Sequence, residues 1–186
     1  MRKQKIYDFI NSSEYAPMTK ENIAVLLCVP ASDIDEFNNI IDELEKEGEI
    51  IIGRKKRCFS AKSMGLVKAI FRSTTKGFGF VSDDKGDIHI AAEYVNGALN
   101  GDTVLVKIEK KSSADKNREG RIISILSRAN STIVGIFTQE RGYGIITPDN
   151  DKLPDEIFVS PRDINGALNG QKVVAKIVEY ETPTTS

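Results

Sequence analysis

Lys76-Gly77-Phe78-Gly79-Phe80-Val81, with Asp87-Ile88-His89-Ile90 close behind it, decides how this chain folds. Read as strands, alternate residues point to opposite faces. Lys76, Phe78, Phe80 and Ser82 then share one face, and Gly77, Gly79 and Val81 the other. A half-buried strand normally hides its large apolar residues and shows polar ones. Here one face carries a cation and two rings while the other carries two glycines, which suggest a bend or a close backbone approach, as in the wall of a small barrel. The rings are therefore expected outside, beside a positive charge, where bases can stack and phosphates can meet the cation. Phenylalanine in a strand is more often core. However, Arg141-Gly142-Tyr143-Gly144-Ile145-Ile146-Thr147 repeats the arrangement, and two copies of an unusual pattern outweigh one.

Working outward, the repeat extends. Asn96-Gly97-Ala98-Leu99-Asn100-Gly101 recurs identically as Asn165-Gly166-Ala167-Leu168-Asn169-Gly170. Val104–Ile108 matches Val173–Ile177, and Ile88-His89-Ile90 matches Ile157-Phe158-Val159. A fixed internal period marks repeated modules. In the first copy, Val67–Phe71, Phe78–Ser82, Ile88–Ala91, Val104–Ile108 and Arg121–Leu126 alternate as short strands between turn residues, which predicts a five-stranded OB-type barrel. The second copy, from near Ser131, has no counterpart of Arg121–Leu126. A barrel short of a strand exposes unpaired edges. The expectation is a fragment of something longer, or a strand supplied by another chain. The reading is α+β and multidomain, with a helical unit over residues 1–62 and barrels over 63–128 and 129–186, the second incomplete.

In the first unit, Ile6, Phe9 and Ile10 share helical spacing. Thr19 is placed to cap a helix burying Ile23, Leu26 and Leu27, and Ser32 or Asp33 to cap a third through Phe37, Ile40, Ile41 and Leu44, ending at Gly48. A hairpin with a basic tip, Arg54 to Arg57, follows, and three helices plus a hairpin predict a winged helix-turn-helix. The third helix argues against reading DNA: Asp33, Asp35, Glu36, Asp42, Glu43, Glu45 and Glu47 oppose a single Lys46, and carboxylates repel phosphates. A docking or auxiliary RNA-contact role fits better.

Charge supports this division. The net charge of −1 announces nothing, but residues 61–128 carry 12 basic and 8 acidic side chains, which makes the first barrel the favoured place for phosphate contacts. Lys110, Lys111, Lys116 and Arg118 form a charge run that reads more readily as solvated than as RNA-binding. Two cysteines and one histidine exclude a structural zinc site, although a Cys28–Cys58 bridge stays open. The longest apolar run, Ile23 to Val29, is far short of the about 20 residues a membrane span needs, so a cytoplasmic location is expected.

The Lys76–Phe80 motif resembles that of the cold-shock domains. Together with Asp87–Ile90 and Asn96–Asp102, the whole order resembles the N-terminal region of bacterial exoribonucleases of the ribonuclease II family. The second copy fits less well, with Tyr143 and Ile145 for the two phenylalanines and Gln171 for the aspartate. The resemblance implies a processive 3′→5′ exoribonuclease whose Mg²⁺-dependent catalytic domain is missing from these residues. This stretch then has no catalytic residues, no cofactor and no metal of its own. It implies single-stranded RNA as partner, with the ribosome or other RNA-decay proteins as candidate partners of the N-terminal unit. The expected RNA-binding residues are Lys76, Phe78, Phe80 and His89 on the first barrel and Arg141, Tyr143 and Phe158 on the second. A standalone RNA chaperone or translational regulator is the rival reading, and a winged-helix transcription regulator a third.

Overall fold

The computed structural model describes residues 3–110 and 118–180. The first unit contains α1 (Lys3–Ile10), β1 (Met18–Thr19), α2 (Lys20–Leu26), α3 (Ile34–Lys46), β2 (Ile50–Ile52) and β3 (Arg57–Ser60). The three strands form an antiparallel sheet in the order β1-β3-β2. The helices close over it with Ile6, Ile10, Ile23, Phe37, Ile41 and Leu44 buried. Thr19 caps α2 as its position predicts, accepting from the Asn22 amide. Asp33 occupies the N-cap of α3 but makes no side-chain cap bond. At the far end of α3 the amides of Gly48 and Glu49 donate to Glu45 O and Leu44 O, a Schellman closure. Leu26 corrects the expected buried face of α2: it is 59 % exposed, and Ala24 fills the core instead. Both cysteines are free, Cys58 buried and Cys28 exposed.

The first barrel runs through β4 (Leu66–Ile70), β5 (Arg72–Ser73), β6 (Gly79–Asp83), β7 (Gly86–Ile90), β8 (Thr103–Lys110) and β9 (Arg118–Ser127). The strand order is β4-β8-β9-β7-β6-β5. Because β4 and β5 are one bent strand interrupted at Phe71, the two ends of that list meet and the sheet closes. Phe71, Val81, Ile88, Ile90, Val104 and Val106 fill the interior.

The second unit has β10 (Thr132–Gln139), β11 (Gly144–Pro148), β12 (Ile157–Val159) and β13 (Lys172–Lys176), in the order β12-β11-β10-β13. Its core is smaller: Ile133, Phe137, Ile146 and Leu153. Among the described residues no fifth strand joins β12 to β13. No described helix is long and apolar enough to cross a membrane.

Arg118 is neither solvated nor spare. Its guanidinium makes a two-pronged contact with Asp83, Nη2 to Oδ2 at 2.6 Å, tying the start of β9 to the end of β6. Lys111 and Lys116 lie outside the described residues, as does the side chain of Lys110. The bonds from Arg118 hold the Asp83 carboxyl down at about 2, against an ordinary value of 3.8. A depressed folded value gives stability that is full above the unfolded value and lost as pH falls through the folded one. Arg118→Ala is therefore expected to destabilise the first barrel by about 1–2 kcal/mol at neutral pH, after allowance for solvent screening. The difference from wild type should close between pH 4 and pH 2, read by urea unfolding across that range.

Candidate nucleic-acid interface

The glycines of the motif explain where its rings point. Gly79 opens β6 with its backbone against the ring of Phe71, and an added Cβ would run into that ring and Arg72 O. Gly144 opens β11 in the same contact with the ring of Phe137. Each strand thus packs its backbone, in place of a side chain, onto a core phenylalanine. The next residues must face away, and burial alternates identically along β6 and β11. Phe78, Phe80 and His89 lie outside the core of the first barrel, and Tyr143 and Phe158 outside that of the second. Phe158 is 65 % exposed.

Strand register sets the rings beside each other. Phe80 lies directly opposite His89 across β6 and β7. The ring centroids are 5.7 Å apart for Phe78–Phe80, 5.3 Å for Phe78–His89 and 5.4 Å for Phe80–His89. In the second unit Ile145 lies opposite Phe158, and Tyr143 stacks on Phe158 at 5.3 Å with 29° between planes. The first platform is a wedge of three rings meeting at steep angles; the second is a stacked pair with an aliphatic neighbour. All five aromatic residues singled out in the sequence are brought together in these two groups.

The cations are placed differently from the sequence reading. Lys76 is not in a strand: the amides of Thr74 and Gly77 close a turn, bonding to Phe78 O and Thr74 O, and β6 begins only at Gly79. Arg141 likewise sits in the turn closed by Glu140 N to Tyr143 O. Both are exposed at the hairpin tips beside the rings and take part in no ion pair among the described residues. Arg72, which the sequence reading passed over, is opposite Phe80 in the β5–β6 register. Its Nη2 donates to Ser82 Oγ at 2.7 Å and to Asp87 Oδ1 at 2.8 Å. The Ser82 hydroxyl and the Arg72 guanidinium hold the Asp87 carboxyl below its ordinary range. Asp83 and Asp87, two of the acids on this face, are thus each matched by an arginine. Only the pairing register reveals Arg72, since nothing in its own stretch of sequence marks it.

Among the described residues no three His, Cys, Asp or Glu side chains gather as a metal site. The described part of this chain therefore does not fit the Mg²⁺ that the resemblance assigns to a catalytic domain.

The chain is similar to known proteins along nearly its whole length. A model of the ribonuclease B OB domain matches residues 69–125, and a cold shock domain model matches residues 145–185. Ribonuclease R of Thermotoga maritima is 29 % identical over 187 residues, covering 98 % of this chain and 26 % of that protein. Ribonuclease R of Escherichia coli is 28 % identical over 174 residues, covering 91 % and 21 %. The chain therefore spans about a quarter of the length of these curated relatives. A solved structure of Mycoplasma genitalium RNase R in complex with ribose methylated single-stranded RNA aligns with a TM-score of 0.47 and 23 % identity, over 62 % of this chain and 19 % of that one.

Proposed function

From a chain related to ribonuclease R along nearly its whole length, we propose an RNA-gripping region of a ribonuclease R-type 3′→5′ exoribonuclease. Single-stranded RNA lies on the outer faces of the two β-units, bases against Phe78, Phe80 and His89 and then Tyr143 and Phe158. Lys76 and Arg141 meet phosphates at the hairpin tips. The observation that carries this reading is the pair of ring groups outside the cores, half-buried except for the exposed Phe158, each turned outward by a glycine seated on a core phenylalanine and each flanked by a hairpin tip whose cation makes no ion pair among the described residues. Rings accept any base, so the grip has little sequence preference. Hydrolysis belongs to the part of such proteins that lies outside this chain, and the role here is to hold and feed RNA in the cytoplasm.

The N-terminal unit is read as a winged helix-turn-helix used for docking. Lys3 pairs with Glu43 and Glu47, and Lys20 with Asp42, so several carboxylates of α3 pin neighbouring elements of the unit. A helix so charged is poorly suited to the major groove.

Fluorescence anisotropy with a labelled oligouridylate and with a duplex of equal length tests the proposal. Unpaired RNA is expected to bind more tightly, because paired bases hide their faces. Affinity should fall with added salt at a logarithmic slope of about −0.7 per neutralised phosphate, hence about −1.4 or steeper for two cations. Equal affinity for both RNAs, with no salt dependence, would overturn it.

A further inference from the structure

The four residues between β9 and β10 form a joint that is fastened on both sides. Arg128 Nη1 donates to Asp102 Oδ2 and to Gly97 O, each at 2.8 Å. The Ala129 amide donates to Asp102 Oδ1 at 2.9 Å, and Asn130 Nδ2 to Asn100 O at 2.7 Å. The linker is thereby sewn to the Asn96–Asp102 loop of the first barrel. From the other side Tyr180, just beyond β13, lays its ring 4.0 Å from the Arg128 guanidinium and donates its hydroxyl to Asn130 O at 2.8 Å. Leu99, on the same loop, packs against the core of the second unit.

One more contact runs close to the platforms. Ser73, opposite Gly79 at the base of the three-ring wedge, donates its hydroxyl to Lys152 O in the β11–β12 connection that leads to Phe158. At the matching loop of the second copy, among the described residues, Gln171 accepts the Leu168 amide and Leu168 is 70 % exposed.

A free four-residue linker would let the two platforms swivel independently. We infer that Arg128 and Tyr180 are positioning residues that hold the two ring platforms as one continuous site, whose ligand is unpaired RNA long enough to lie on both. The inference rests on the RNA reading above. The covalent linker already makes engagement of the second platform intramolecular; fixing its geometry raises the effective concentration further, which multiplies affinity without any new contact.

The test titrates the whole chain with labelled oligouridylates of about 5 and about 15 nucleotides, one covering a single platform and the other both. Wild type should prefer the longer by about 100-fold. Tyr180→Ala leaves Asp102 paired. It should cut that preference about tenfold or more while leaving affinity for the short RNA unchanged. Tyr180→Phe keeps the ring over Arg128 and should retain the preference to within about threefold. A preference that survives in Tyr180→Ala overturns the inference and spares the RNA reading. So does an equal loss for both lengths, which would mark a damaged fold. A wild type that ignores both RNAs overturns the RNA reading, and the joint's proposed role falls with it.

Discussion

Replacing Phe78 and Phe80 together by alanine is expected to weaken single-stranded RNA binding by about 2–4 kcal/mol, roughly 30- to 1000-fold, with the fold retained. One stacked base is worth about 1–3 kcal/mol by alanine substitution, so two independent rings would sum to about 2–6. They are not independent: the rings pack edge to face on each other and on His89, and groups in contact do not add. The expectation therefore sits in the lower half of the range. Stability should change little, because neither ring belongs to the buried cluster behind β6 and the steric reason for Gly79 is untouched. Anisotropy titration gives the affinity, and a thermal melt of the same sample shows whether the fold survived. Unchanged affinity in a folded variant would remove the rings from the binding surface.

The outward direction of the rings was legible because glycine alternated with aromatic residues, and a strand with glycine on its inner side has nothing but backbone to bury. His89 was legible through alignment of the two copies, since it occupies the place of Phe158. The starting point of the strand was not. Gly77 read as part of β6, yet it takes φ +85 in the preceding turn, and a glycine fits either environment. Leu26 was misplaced because a helix of seven residues offers two turns of pattern, too few to choose between Leu26 and Ala24. β1 is two residues long and carries no alternation to detect. Arg118 and Arg72 depend on partners brought near by strand pairing, Asp83 and Asp87, which no local pattern foretells. The repeated Asn-Gly-Ala-Leu-Asn-Gly stretch was the clearest signal of two modules, yet its working residue, Asp102, stands just past its end.

That aspartate should be among the costlier side chains to remove from the first barrel. Its carboxylate is wholly buried and accepts from the Leu99 amide at 2.8 Å, the Ala129 amide at 2.9 Å and Arg128 Nη1 at 2.8 Å. Asp102→Ala leaves two amides without their acceptor and the Arg128 guanidinium with Gly97 O alone, and breaking a buried charged pair by deleting one partner costs about 3–5 kcal/mol. The matching residue of the second copy provides an internal control. Gln171 is exposed and accepts a single amide among the described residues, so Gln171→Ala should cost only about 0.5–1.5 kcal/mol. The same sequence position in two copies of one motif thus carries unequal weight among the described residues, because Asp102 is buried and holds three donors while Gln171 is exposed and holds one. A chain of several units need not unfold in one step, so the comparison is best read locally. Hydrogen exchange at the Leu99 and Ala129 amides should accelerate strongly in Asp102→Ala, and exchange at the Leu168 amide only modestly in Gln171→Ala. Near-equal effects in the two variants would mean that the buried carboxylate is not what locks the loop to the linker, and that the apolar contact of Leu99 does so instead.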